Sequence, residues 1–247
     1  MKTIEKTHVI TSATLLLIIA FIVFVLLTLG CTRERIEGNY DLVTEERASQ
    51  EFTQVLSNGS FNVTIIPDSV TRVAVKAESN ILPYLYTDSD GDHMIIGFKN
   101  GYNIREHYTV EVFLHTPTLK SISLSGSGRV ESGKFYANDA DVNLSGSGNI
   151  SCAFEAEDFH ATISGSGNLT IEGSAKNSYL KVSGSGNISA FSLAQQNCRA
   201  EISGSGNIKA SVSEYLEAWI SGSGKVYYQG NPEVITHISG SGNVIRY

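Results

Sequence analysis

Aliphatic and polar residues alternate in the second half of the chain around seven copies of Ser-Gly-Ser-Gly. The copies begin at Ser125, Ser145, Ser164, Ser183, Ser203, Ser221 and Ser239, so they are 20, 19, 19, 20, 18 and 18 residues apart. The residue before each copy, and the residue five positions after its first Ser, is always Leu, Ile or Val. Because alternate side chains of a β-strand face opposite ways, both positions can point into one core. This pattern predicts an all-β solenoid of about 19 residues per repeat over residues 119–247.

Two glycines in every copy are expected to shape the corner between strands. They are Gly126, Gly128, Gly146, Gly148, Gly165, Gly167, Gly184, Gly186, Gly204, Gly206, Gly222, Gly224, Gly240 and Gly242. Glycine reaches positive φ without steric cost, which a sharp corner requires. An Asn follows the motif in five copies, at Asn149, Asn168, Asn187, Asn207 and Asn243. We therefore expect stacked coils to form ladders of Ser and Asn side chains, with a structural role.

Residues 49–118 contain short runs typical of β-strands, at 59–66, 72–76, 93–98 and 108–114. We expect this region to be irregular and to form the first coils and the N-terminal cap of the solenoid. Asp88–Asp92 superficially resembles a calcium-binding loop, but the distal Glu of such a loop is missing. Its Asp-Gly pair between two strand-like runs predicts a hairpin turn instead.

The first thirty residues have the layout of an export signal. Lys2 and Lys6 precede an uncharged stretch rich in Leu, Ile, Val and Phe that ends at Gly30, directly before Cys31. This ending predicts a lipoprotein signal in which Cys31 is lipidated, although Thr28 stands where such signals usually have Leu. An uncleaved transmembrane anchor is the alternative, since the stretch is long enough to span a bilayer. Either way the membrane is an expected partner, and residues 31–48 are expected to be a tether outside the cytoplasm.

Composition excludes several classes of site. The chain carries 18 Lys and Arg against 25 Asp and Glu, a net charge of -7, and no long basic run, so nucleic acid is not an expected partner. Dinucleotide, phosphate-loop and calcium-repeat motifs fail at their required positions, so we expect no cofactor, no metal site and no catalytic residue. Cys152 and Cys198 lie at different phases of different repeats, which predicts two small buried side chains and no disulfide.

The repeats, together with the segment before them, resemble the head GIN domain family of auto-transporter adhesins, which is common as lipoproteins in Bacteroidetes-type bacteria. The resemblance covers about residues 50–247. It rests on Pro117–Leu119 leading into the first motif, on the recurring Ser-Gly-Ser-Gly-Asn-Ile, and on the run Val226–Pro232 before the last motif. It implies a right-handed parallel β-helix-like fold, and it brings no catalytic residues. Together with the export signal, we expect a cell-envelope protein anchored at the outer membrane, on either its periplasmic or its surface face.

An outward-facing column is predicted two residues before each motif. It comprises Ser123, Asn143, Thr162, Lys181, Glu201, Trp219 and His237. Lys181, Glu201, Trp219 and His237 form the candidate ligand-binding site, because an exposed indole suits contact with a sugar or a protein. The leading hypothesis is therefore a non-enzymatic adhesin-like module that binds a glycan or a surface protein. An equally weighted interpretation is that Trp219 only packs against a neighbouring coil.

Two other functions stay open at this point. Secreted β-helices include polysaccharide-cleaving enzymes, and the one acidic cluster that we can assemble is Glu155, Glu157 and Asp158 beside Lys176 and Asp139. The third hypothesis is a structural envelope protein without a ligand that forms homo-oligomers through its edge strands.

Overall fold

The computed structural model describes residues 34–247, and within them the chain is almost entirely β-strand. The N-terminal strands are β1 (Glu34–Glu37), β2 (Leu42–Arg47), β3 (Gln54–Asn58), β4 (Asn62–Pro67), β5 (Arg72–Glu78), β6 (Leu85–Asp90), β7 (His93–Phe98), β8 (Tyr102–Arg105) and β9 (Glu111–Thr116). The repeat strands are β10 (Ser121–Gly126), β11 (Arg129–Gly146), β12 (Asn149–Gly165), β13 (Asn168–Gly184), β14 (Asn187–Gly204), β15 (Asn207–Gly222), β16 (Lys225–Gln229), β17 (Glu233–Gly240) and β18 (Asn243–Arg246). A single 3-10 turn, Leu82–Tyr84, interrupts the described part.

The repeats stack as a parallel β-solenoid, as the period predicts. Strands β11 to β15 each run through one coil and pair in parallel with the next, so that each residue lies beside its equivalent in the neighbouring repeat. The two aliphatic columns that flank the motif point inward and are buried from Leu124 to Ile220 and from Val130 to Val226. Burial of these columns, repeated coil after coil, supplies the hydrophobic core.

The two glycines of each motif serve different purposes. The first has a positive φ, for example +131° at Gly126 and +138° at Gly165, which only glycine adopts without strain. The second does not, but it is buried where its coil passes close to the one below. A Cβ at Gly167 would lie 2.6 Å from Cδ2 of Leu144 and would also meet the backbone of Gly148. The motif therefore combines a corner with a close approach between coils.

Asparagine side chains after the motif form the predicted ladder. The amides of Asn168, Asn187 and Asn207 each donate to the side-chain oxygen of the Asn one coil earlier, at 3.0, 3.0 and 2.9 Å. Tyr40 is the one non-glycine residue with positive φ in the described range, so these asparagines are not there for a left-handed backbone. They link the coils through amide hydrogen bonds, which is the structural role expected of them.

The N-terminal region continues the solenoid in an order that differs from the sequence. Strands β3 and β4 form a coil that pairs with β10 and β11 on one side, and with β7 and β9 on the other. The coil of β7 and β9 is thus outermost, although it comes later in the chain. Beyond it, β6 pairs antiparallel with β7, β5 pairs antiparallel with β9, and β2 pairs antiparallel with β5. Strands β5 and β6 form the N-terminal cap expected of residues 49–118, and β2, from the segment before it, extends that cap.

The Asp88–Asp92 segment is a hairpin turn, as predicted. β6 and β7 are joined directly, with Asp90 opposite His93 and with Gly91 at φ +59°. The Asp-Gly pair therefore supplies the tight turn between two antiparallel strands.

The expected tether needs correction, because part of residues 31–48 is ordered structure. β1 pairs in parallel with β8, and β2 pairs with β5 along its whole length. The charges in this segment suit an outer strand with one exposed face, which explains why no core-like periodicity was visible in the sequence. Residues 34–47 thus belong to the cap.

Residues 1–33, with the predicted export signal and Cys31, lie outside the described residues. Within residues 34–247, no helix is long and apolar enough to cross a bilayer.

Candidate functional site

Consecutive coils bring the four predicted site residues together on one wall. Lys181 lies beside Glu201, Glu201 beside Trp219, and Trp219 beside His237 in the parallel register. Nζ of Lys181 is 3.6 Å from a carboxylate oxygen of Glu201, so these two residues form an ion pair between neighbouring coils. All four side chains face outward, as the alternation along each strand requires.

A second outward column, which the sequence reasoning missed, stands two residues earlier in each coil. It places Tyr179, Arg199 and Glu217 beside Lys181, Glu201 and Trp219. The signal was available, because residues i and i−2 of a strand share a face. The site therefore comprises two adjacent columns with three charged and aromatic residues in addition to the four predicted.

Glu201 lies at the centre of the polar contacts. Its carboxylate accepts hydrogen bonds from Oη of Tyr179 at 2.6 Å and from Nε of Arg199 at 2.8 Å. Partial burial raises the pKa of Glu201, but the donors Tyr179 and Arg199 lower it further, so that its pKa falls below the usual value. Burial, and then the hydrogen bond to Glu201, raise the pKa of Tyr179. Glu201 is thus held as a carboxylate that fixes its neighbours.

Trp219 is partly exposed and also stacks on a side chain of the neighbouring coil. Its indole is 39% exposed, yet it stacks on His237 with ring centroids 3.8 Å apart and an interplanar angle of 17°. The guanidinium of Arg199 lies over the indole at 5.5 Å, in cation–π contact. Because both neighbours cover ring surface, the indole offers mainly its edge to a ligand.

A groove of about 560 Å³ runs beside this stack. We call it the C-terminal groove. Its lining consists of Lys181, Arg199, Glu201, Trp219 and His237, of the isoleucines Ile202, Ile220 and Ile238, and of the serines Ser203, Ser221 and Ser239. The serines are the first of their motifs and lie in register, so their hydroxyls repeat along the groove. A row of hydroxyl groups beside an aromatic edge can both hydrogen-bond and make apolar contact.

In the earlier coils the first outward column holds only small polar side chains. They are Ser123, Asn143 and Thr162, in register with Lys181 above them. The second column holds Asp141 and His160 there, 3.6 Å apart, and the His160 ring lies edge-on to Tyr179. Large charged and aromatic side chains therefore occupy both columns only in the C-terminal coils, from Lys181 onward.

The acidic cluster on another wall does not resemble an acid–base centre. Glu155 contacts Lys134, Glu157 lies 3.0 Å from Nζ of Lys176, and Asp158 accepts a hydrogen bond of 2.8 Å from the amide of Asn177. Asp139 stacks in register on Asp158. The two Lys–Glu pairs are largely exposed ion pairs between neighbouring coils, which contribute little individually. Residues 34–247 also contain no group of three His, Cys, Asp or Glu side chains placed to hold a metal ion.

Cys152 and Cys198 are buried and free, as predicted. Burial raises the pKa of both thiols to about 12. They are therefore inert core residues.

Comparison with known proteins agrees with this fold. Residues 51–232 match the model of a family described as "Putative auto-transporter adhesin, head GIN domain". No curated protein matches the chain.

Several solved structures share the fold over most of their length. A "putative adhesin" from Bacteroides fragilis is 21% identical, with a TM-score of 0.79, over 86% of this chain and all of that one. A "Putative lipid binding protein" from Parabacteroides distasonis is 24% identical, with a TM-score of 0.73, over 87% of this chain and all of that one. A "putative adhesin" from Parabacteroides merdae is 19% identical, with a TM-score of 0.73, over 87% of this chain and 99% of that one. At these identities the likeness shows the fold.

Proposed function

Because the chain belongs to the head GIN domain family of auto-transporter adhesins, we propose that it is a non-enzymatic binding module of the cell envelope that contacts its target through the C-terminal groove. The observation that carries the proposal is the concentration of Lys181, Arg199, Glu201, Trp219 and His237 in the C-terminal coils of one wall. Adhesin-type families belong to the cell surface or envelope, where such a wall faces other molecules.

The chemistry of the groove suits an uncharged saccharide better than an ionic ligand. Lys181 and Arg199 are balanced by Glu201 and Glu217, so the groove carries no strong charge of either sign. Serine hydroxyls and the Glu201 carboxylate supply donors and acceptors for sugar hydroxyls. The edge of Trp219 supplies apolar contact for a sugar ring. The alternative ligand is a protein segment with exposed hydroxyl and amide groups.

Binding measurements on the full-length chain test this proposal. The chain is assayed against a panel of neutral glycans, acidic glycans and matrix proteins, together with Trp219→Ala and the control Tyr136→Ala. Tyr136 is 69% exposed on a different wall, so its loss removes an aromatic residue without touching the groove. We expect Trp219→Ala to weaken neutral-glycan binding by about tenfold or more, and Tyr136→Ala to leave it unchanged.

Two results would contradict the proposal. Equal binding by the wild type and Trp219→Ala would move the contact surface away from the groove. Cleavage of any glycan in the panel would favour an enzyme and would direct attention to Glu155, Glu157 and Asp158.

For the location in the envelope, we propose lipid anchoring at the outer membrane through Cys31. The support is the apolar stretch that ends in Gly30-Cys31. Labelling of cells with a fatty-acid analogue should mark the wild type and not Cys31→Ser. A label-free wild type that keeps the mass of the uncleaved chain would favour the transmembrane anchor instead.

A further inference from the structure

The C-terminal end of the solenoid leaves its core uncovered. Strand β17 pairs with β15 and strand β18 pairs with β16, and no other described strand covers their outer edges. Ile238 continues the inward column of Ile202 and Ile220, yet it is 44% exposed where each of these is 2% exposed. Thr236 likewise continues the buried column of Ala200 and Ala218 and is exposed. An apolar core end with unpaired backbone groups favours the addition of another strand.

The N-terminal cap limits which end of a second copy can pair with the open C-terminal end. Continuing the stack head to tail would need a free parallel edge at the N-terminal end of the next copy. That end is covered by the antiparallel strands β6, β5 and β2. Among the described residues β6 and β2 each pair on one edge only, but the inward column beneath the cap is buried. An exposed core end is therefore found only at the C-terminus of the second copy, so contact between core ends closes after two chains and does not grow into a fibre.

We propose that two copies of this chain pair through their C-terminal ends, with β17 antiparallel to β17 of the second copy about a two-fold axis at Thr236. In this register Val234 lies opposite Ile238 of the second copy, and Thr236 lies opposite itself. All three belong to inward columns, because Val234 follows Leu216 and Ile238 follows Ile220. The pairing therefore joins the two cores through aliphatic contacts.

The outward face of the same register is also complementary. Ile235 lies opposite His237 of the second copy, and both are exposed in the single chain. Glu233 lies diagonally across from His237 of the second copy, within reach of a charge-assisted contact when the imidazole is protonated. If the two-fold axis lay one residue away, Thr236 would be opposite Val234 or Ile238 of the second copy. A cysteine at position 236 therefore lies opposite its own counterpart only in the proposed register.

Cross-linking tests the register in the full-length chain in its own membrane. Residues directly opposite in an antiparallel pair have Cβ atoms about 4.5–5.5 Å apart, close to the span of a disulfide. Thr236→Cys should therefore form a disulfide-linked dimer under mild oxidation. Thr162→Cys, in the same wall but in the middle of the solenoid, is the matched control and should stay monomeric. Both variants keep Cys31, Cys152 and Cys198, so any background is shared.

Sedimentation equilibrium in density-matched detergent tests the association itself. We expect the wild type to dimerise with concentration, and Ile238→Lys to dimerise at least tenfold more weakly, since the charge would enter the joined core. Ile238 is exposed in the single chain, so this variant should keep its fold, which circular dichroism checks. A monomer at all concentrations, or equal cross-linking of the two Cys variants, would overturn the proposal. His237 and Ile238 also line the C-terminal groove, so pairing of the C-terminal ends would cover part of it. Glycan binding by the wild type and by Trp219→Ala is therefore compared at protein concentrations where both are monomeric, so that this inference and the proposed function fail independently.

Discussion

The two ends of the solenoid solve the same physical problem in opposite ways. One inward column runs from Ile96 in the outermost N-terminal coil to Ile238 in the last C-terminal coil. Ile96 is fully buried because β6 pairs outside it, whereas Ile238 is 44% exposed because no described strand follows it. The same inward column thus reaches both ends of the solenoid. Whether a solenoid end is covered is therefore decided by the sequences that flank the repeats.

The cap depends on polar contacts as much as on apolar ones. Glu78, on β5, is fully buried, and its carboxylate accepts hydrogen bonds from the backbone N–H of Tyr40 at 2.7 Å and of His107 at 2.9 Å. The imidazole of His107 lies 3.2 Å from the same carboxylate and stacks on the ring of Tyr40. One buried charge thus ties the segment before β2 and the segment before β9 to the cap. The C-terminal end has no equivalent among the described residues.

The largest contrast is expected from the two isoleucines at the ends of the shared column. Ile96→Ala should lower the free energy of unfolding by about 3 kcal/mol, because it leaves a cavity in a packed core. Ile238→Ala should cost about 1 kcal/mol or less, because almost half of its side chain is already in water. Urea unfolding at low protein concentration, where dimers are absent, measures both. Equal costs would mean that the C-terminal end is covered in solution.

A smaller effect, confined to one end, is expected from Glu78→Gln. The amide of Gln has the same shape as the carboxylate but no charge, and one of its two ends is an NH2 group that cannot accept a hydrogen bond. The backbone N–H groups of Tyr40 and His107 therefore lose their charged acceptor, which should lower the free energy of unfolding by about 2 kcal/mol. Hydrogen exchange should quicken in β2 and around His107, and stay unchanged in the repeat coils. Glu45→Gln, on an exposed face of β2, is the matched control. Faster exchange in all coils would show that the cap and the repeats unfold as one unit.

Acid should act on Glu78 in the same direction as the substitution. Burial raises the pKa of Glu78, but the N–H donors of Tyr40 and His107 lower it further, so the folded pKa lies below the unfolded value. Its contribution is therefore complete above an unfolded pKa of about 4.3 and is lost as the pH falls through the lower folded value. Exchange in β2 should quicken below about pH 4 in the wild type, and less steeply in Glu78→Gln.

The repeats could be predicted from the sequence because the same pattern of residues recurs in every coil. The inward columns, the Gly corners and the Asn ladder depend only on local alternation and on a fixed period. The coil order at the N-terminus could not be predicted, since β3 and β4 lie between β9 and β10 through contacts distant in the chain. For example, Gly59, Ser60, Asn62 and Val63 lie in register with the first motif and the two residues after it, but Phe61 occupies the position of its second glycine, so this coil does not read as a copy of Ser-Gly-Ser-Gly.

The candidate site was predictable in part for a similar reason. The repeat aligned Lys181, Glu201, Trp219 and His237, and the alternation along each strand placed them on the outward face. The same two rules apply to Arg199 and Glu217, two residues earlier in their coils. The sandwich of Trp219 between Arg199 and His237 depends on side-chain rotamers, which alternation does not specify.

The smallest expected effect, and one of opposite sign, comes from Ser57 in the same column as Ile96 and Ile238. Ser57 is fully buried, and its hydroxyl has no hydrogen-bond partner among the described residues. Ser57→Ala removes that hydroxyl and should raise the free energy of unfolding by up to about 1 kcal/mol. Ser178 is the matched control, because its buried hydroxyl donates to the side chain of Gln195, so Ser178→Ala should destabilise. If Ser57→Ala also destabilises the chain, the Ser57 hydroxyl has a hydrogen-bond partner in solution, and water reaches the inward column next to the cap.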